Sequence, residues 1–230
     1  MEVLSNNLAN VSTPGYKRDR LAFKEILGTR LANAQGTPPP SASSFTAVAA
    51  NQVDFSQGPL KRTDSPLDVA LEGPGFVTVK HPQQGVVFSR GGALTITPKG
   101  ELALAQGGHL VLDDKRKPIK VDPRAGTVII GRDGTLTQAG NPVGKIHLVE
   151  FAQPGALERL GGTLYKGPLQ QASPAKATGV RAGFIEKPNV NAVRGVTTMI
   201  SASRAYEALH RVIGTFREVD SAAARIASER

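Results

Sequence analysis

Four histidines, His81, His109, His147 and His210, are the side chains of this 230-residue chain best suited to metal ligation or proton transfer. Their spacing argues for neither. A metal or a general base needs ligands or carboxylates that converge on it, and these four are scattered among turn and strand residues and one helix. They are read as surface or structural residues. The chain has no cysteine, which excludes disulfides, zinc thiolates and thiol nucleophiles. No Gly-x-Ser-x-Gly elbow and no His-Glu-x-x-His pair occurs. Gly140 to Lys145 has too few residues between its glycines for a phosphate loop, and Ile146 stands where a hydroxyl would be needed. Gly73-Pro74-Gly75 leads into an apparent strand at Phe76 rather than a helix, so its glycines serve a bend. Asn10-Val11-Ser12 matches a glycosylation sequon, but a turn at a helix end explains it better. The expectation is no enzyme: no catalytic residues, no cofactor, no metal and no small-molecule substrate.

Charge points the same way. The 28 Lys and Arg against 19 Asp and Glu give a formal charge of +9, which raises an anionic partner such as nucleic acid or a membrane surface. The cations come in scattered pairs, Lys17-Arg18 and Lys61-Arg62, with one trio, Lys115-Arg116-Lys117, on an apparent turn. Without interleaved aromatics this fits a solvated surface rather than a nucleic-acid groove. A second reading stays open: a basic module that attaches to an acidic polymer or cell-wall material through Lys61, Arg62, Lys115, Arg116 and Lys117. No run approaches the roughly eighteen apolar residues of a membrane helix, and no charged start with an apolar core makes a cleavable signal. Membrane insertion is not expected.

The element with the strongest pattern is at the end of the chain. Stepping by three and four from Met199 gives Ala202, Tyr206, Leu209, Ile213, Phe216, Asp220, Ala223 and Ala227, a seam interrupted only by Asp220. A repeat near 3.5 residues predicts a coiled-coil helix. Pro188 stops any upstream helix, and Asn189 and Asn191 can accept from the free N–H groups of a first turn. A helix to Ser228 would be roughly 55 Å long, wider than a small domain. It could fold onto its own domain, but a seam so narrow and long favours a coiled-coil partner. At the other end Val3, Leu4, Leu8 and Val11 form the edge of a short helix that Ser12-Thr13-Pro14-Gly15 ends. Met1 sits inside that pattern, so the chain is read as starting late.

Between the ends the texture is β. Residues 76–79, 86–88, 94–96, 102–104, 110–112, 127–130 and 145–149 are short apolar strand candidates. Lys99-Gly100, Gly107-Gly108, Asp113-Asp114, Asp133-Gly134 and Gly140-Asn141 supply turns, with Asp133-Gly134 the best hairpin. Residues 16–31 fit a short helix or an extended arm, and 32–52, with Pro38-Pro39-Pro40, fit a linker or mobile loop. The expected fold is α+β: a mainly-β central domain with N- and C-terminal helices that pair as a coiled-coil-like stalk. The boundaries read 1–31 for the N-terminal helical segment and arm, 32–66 for the linker, 67–186 for the β domain and 187–230 for the long helix.

Three motifs carry a resemblance. Asn6-Asn7-Leu8-Ala9-Asn10-Val11-Ser12-Thr13-Pro14-Gly15-Tyr16-Lys17 resembles the N-terminal signature of the bacterial flagellar basal-body rod and hook family. Asn189-Val190-Asn191 with Met199-Ile200 and Arg204-Ala205-Tyr206-Glu207 is similar to its terminal helix, and 67–76 to the opening of its β domain. Length and the stretch 53–60 look most like the proximal rod members, with the distal rod members a close second. Pro74, Pro188 and Ser203 depart from the residues common in the family. The resemblance implies a structural rod subunit exported by the flagellar type III apparatus without a cleavable signal, placed in the basal body across the periplasm. It implies partners among other copies, other rod or hook subunits and the export apparatus. Subunit packing is expected to fall on Leu4, Leu8, Val11, Met199, Ala202, Tyr206, Leu209, Ile213, Phe216, Ala223 and Ala227, polymerising the chain into a helical tube that transmits torque.

Overall fold

Short runs of alternating or wholly apolar residues between glycine and aspartate turns are what an antiparallel sheet requires, and a computed structural model of the chain realises them. It describes residues 2–27 and 44–228. Eight residues form helix α1 (Glu2–Ala9), and 37 form α2 (Ala192–Ser228). The strands begin with β1 (Asp19–Leu27), β2 (Ser44–Val53), β3 (Leu60–Arg62), β4 (Val69–Glu72), β5 (Phe76–His81) and β6 (Gly85–Ser89). They continue with β7 (Leu94–Ile96), β8 (Leu102–Leu104), β9 (Leu110–Val111), β10 (Val128–Ile130), β11 (Thr135–Gln138) and β12 (Asn141–Lys145). The last are β13 (Leu148–Phe151), β14 (Glu158–Gly161), β15 (Leu164–Lys166), β16 (Ala172–Pro174), β17 (Gly179–Ala182) and β18 (Phe184–Glu186).

Two units result: residues 1–9 with 190–230, and residues 10–189. In the first, α1 lies against α2. At 1.5 Å per residue α1 is about 12 Å long and α2 about 55 Å, so most of the long helix extends past its partner. A short helix contact is therefore present.

The second unit is built on a nine-stranded antiparallel sheet, ordered β14-β15-β6-β5-β9-β8-β7, with β13 joining β5 to β16. β5 is its centre and reads as a central strand should, because both of its faces are covered. Val77 and Val79 enter a large core with Leu71, Leu102, Val111, Leu136 and Ile146. Phe76 enters a second, aromatic core with Phe88, Phe151 and Tyr165. Asp133-Gly134 forms the hairpin between β10 and β11, with Gly134 at φ +83°.

Several spans differ from the sequence reading. Residues 145–149 divide: β12 ends at Lys145 and β13 begins at Leu148, because Ile146 turns into the core while the chain changes sheets. Residues 19–27 are extended and pair with 44–53, which lie inside the span read as linker, as does β3, paired with β18. Composition there misled, since Ala, Ser and Thr form strands when a partner strand is supplied. Residues 28–43 lie outside the described residues, as do the side chains of Ala223 and Ala227.

Candidate functional site

Among the described residues, a collar of charged side chains gathers within residues 10–189. It begins at the Thr13-Pro14-Gly15 turn, where Tyr16 N–H donates to Thr13 O at 3.2 Å. Gly15 sits at φ +75°, and a Cβ there would meet the carbonyl oxygen of Arg90 at 2.4 Å, so only glycine fits. Its N–H donates to Glu186 O at 2.8 Å. Tyr16 and Lys17 follow, both buried.

Lys17 is fully enclosed and its Nζ donates to Glu186 Oε1 at 2.5 Å and to Ser56 O at 2.7 Å. The Gly58 N–H, at 2.7 Å, shares the same carboxylate oxygen. Burial pushes the Lys17 ammonium below the usual lysine range, and the Glu186 charge opposes that shift. Arg90, also buried, donates through Nη1 to Gly73 O and Gly75 O and lies over the Phe76 ring. Its Nε faces Glu186 Oε2 at 3.9 Å, and burial lowers its pKa too. One buried carboxylate thus serves two buried cations.

A second layer surrounds this one. Arg159 bonds Asp19 at 3.0 Å and the Lys17 carbonyl, and stacks over the rings of Tyr16 and Tyr165. Asp54 pairs with Arg18 and Arg20 at 2.8 and 2.7 Å. Burial would raise its pKa, but hydrogen bonds from Ser56 and Arg18 prevail and hold it below the ordinary range. Asn189 Oδ1 accepts from the Arg18 N–H, and its Nδ2 donates to Asp54 O and Ser56 O. Asn189 therefore ties down the collar instead of capping a helix. Asn191 is the cap: its Oδ1 accepts from the Arg194 N–H at 3.0 Å.

The collar's charged side chains pair with one another and with backbone carbonyls. What it does is mechanical, joining residues 15–19 and 54–58 to 186–189 at fixed register. Buried pairs of this kind add little net stability, but removing one partner is costly, so they define a geometry.

The second feature lies in the helical unit. Leu4 and Leu8 are half-buried, as are Met199 and Ala202 on α2. Val11, in the other unit, is half-buried too. Beyond α1 the seam is open: Tyr206 is 63% exposed, Leu209 63%, Ile213 48% and Phe216 66%. Val212 and Val219, which the seam did not include, are also exposed. Together the six span roughly 140° of the helix circumference, a face rather than a line.

Among the family-motif positions, Asn6, Asn7, Leu8 and Ala9 lie on α1, while Asn10, Thr13, Pro14, Gly15 and Tyr16 form the turn and enter the collar with Asn189. Glu186, Arg90, Arg159 and Asp54 were not singled out from the sequence.

The histidines are not all apart. β5 and β9 pair with Lys80 opposite Leu110, and the same register sets His81 opposite His109, their rings stacked at 5.0 Å. Among the described residues no group of three or more His, Asp or Glu is arranged to hold a metal. A cleft of about 750 Å³ is lined by Lys99, Lys120 and Arg124, not by the cations of the acidic-polymer reading. No helix among the described residues is long and apolar enough to cross a membrane.

Comparison with known proteins gives the family. Residues 1–17 match the model described as flagella basal body rod protein, 70–138 the flagellar hook protein FlgE/F/G D1 domain, and 181–226 the flagellar basal body rod FlgEFG protein C-terminal. The flagellar basal-body rod protein FlgG of Buchnera aphidicola subsp. Schizaphis graminum is 32% identical, over 94% of this chain and 89% of its own length. FlgF of Caulobacter vibrioides is also 32% identical, over 97% of this chain and 89% of its own. FlgG of Caulobacter vibrioides is 30% identical, over 99% and 94%. FlgF and FlgG relatives thus match at equal identity, and both are structural proteins rather than enzymes. The chain belongs to the flagellar basal-body rod protein family.

Proposed function

We propose that this protein is a structural subunit of the flagellar rod that polymerises through its terminal helices into a helical tube and carries torque. The observation that supports the reading is the exposed apolar face of α2 from Tyr206 to Val219. Burying a large apolar side chain fully is worth about 1.5–3 kcal/mol, so covering these half- to two-thirds-exposed groups offers on the order of 5 kcal/mol per copy. A head-to-tail contact in which α1 and α2 of neighbouring subunits cover that face extends the stalk and does not close on itself. The collar holds the β unit in one conformation while the helices assemble. The partners on this reading are other copies, other rod or hook subunits and the flagellar export apparatus, and the subunit reaches the basal body across the periplasm without a cleavable signal.

The test is Ile213→Asp together with Phe216→Asp, expressed in cells lacking the native subunit, with basal bodies fractionated. Loss of the subunit from basal bodies and loss of motility are expected, with the β unit still folded. Normal incorporation would remove α2 as the assembly surface.

A further inference from the structure

The cleft of about 750 Å³ lies within the range of ligand sites, roughly 300–1,000 Å³, and its walls are fixed. One wall is the 97–100 turn, closed by Gly100 N–H donating to Thr97 O at 2.8 Å and by Val121 N–H donating to Gly100 O at 2.7 Å. Gly100 is at φ +75°, where a Cβ would meet Val121 O at 2.6 Å, so the turn and residue 121 stay in contact. The other wall is the 122–126 loop. Buried Gln138 clamps it, donating through Nε2 to Asp122 O at 2.6 Å and Gly126 O at 2.9 Å and accepting from Asp122 N–H at 3.2 Å.

Charge in the cleft is unbalanced. Lys99, Lys120 and Arg124 line it, and none makes an ion pair among the described residues, whereas Arg18, Arg20, Arg62, Lys145, Arg159 and Arg181 all do. The one carboxylate in the lining, Asp122, accepts from the Arg124 N–H at 2.9 Å and so serves its own loop. Among the cations the accessible apolar lining is Pro98, Pro123 and part of Val143, beside polar Asn141, and it contains no aromatic ring. A phosphate chain gains nothing from apolar walls, and nucleic-acid bases take aromatic platforms. An acidic peptide with apolar side chains uses both features, and the overall +9 charge attracts it from a distance.

We propose that this cleft binds an acidic peptide segment of a partner protein, its carboxylates on Lys99, Lys120 and Arg124 and its apolar side chains on Pro98, Pro123 and Val143. The site is separate from α2 and does not depend on the assembly reading. The probe is a fluorescein-labelled octapeptide alternating glutamate and leucine, followed by polarisation with the full chain at about 50 mM salt, where screening is weak. Saturable binding is expected. Combined Lys99→Glu, Lys120→Glu and Arg124→Glu should weaken it about thirtyfold, the sum of three exposed pairs, and Arg124→Glu alone, on an exposed loop that tolerates it, about threefold. Reversing Lys115, Arg116 and Lys117 should leave the affinity within about twofold. Equal losses from the two sets would reduce the binding to net charge and overturn the proposal. So would an unchanged Arg124→Glu variant, or displacement of the probe by tripolyphosphate or a heparin hexasaccharide at a lower concentration than by the unlabelled peptide.

Discussion

Glu186 carries more than any other residue of the collar, because two buried cations depend on it. Glu186→Gln leaves Lys17 and Arg90 enclosed without a counter-charge and should cost about 3–5 kcal/mol, whereas Lys17→Met leaves Glu186 facing Arg90 and should cost less. Urea unfolding followed by circular dichroism checks the order; equal or reversed losses would mean the collar is not organised around this carboxylate. Asp54 gives the pH dependence. Its folded pKa is depressed, so it binds fewer protons folded than unfolded, and its contribution is present above the ordinary aspartate range and lost as pH falls below it. Asp54→Asn should therefore narrow the difference in urea midpoint between pH 7 and pH 3, and an undiminished difference would assign acid sensitivity elsewhere. The sequence displayed half of this site. Gly15, Tyr16 and Lys17 stand in one motif, but Glu186 lies 169 residues from Lys17 and Arg159 142 residues from it, and pairing at that range leaves no periodic mark. The same holds for His81 and His109, which only the β5–β9 register sets opposite each other.

At the scale of elements, local pattern was legible wherever one element could be recognised without its neighbour. The 94–96 and 102–104 strands fall where alternation put them, and α2 runs to Ser228 as its repeat required. Reading failed where pairing decides: β2 carries three alanines among its ten residues and becomes a strand because β1 lies opposite, with a bulge between Ala22 and Phe23. Asn189 was read as a cap from type and position, but its side chain is taken by Arg18, Asp54 and Ser56. Asn191 alone is left to start α2. Asn191→Ala should cost about 1 kcal/mol at that end and speed exchange of the Arg194 amide about fivefold. Unchanged exchange there would show that the first turn is held by something other than the cap.

For the whole molecule, the apolar face of α2 is exposed in the single copy, and neighbouring subunits are proposed to cover it. The absence of native cysteine makes this directly measurable, since any thiol introduced is the only one present. Leu209→Cys, on the exposed face, and Arg204→Cys, off the seam, would each be labelled with a maleimide in the dilute subunit and in isolated basal bodies. Both should label in the free subunit, and Leu209→Cys should become protected in basal bodies while Arg204→Cys stays more reactive. Equal labelling of Leu209→Cys in the two states would contradict assembly through this face.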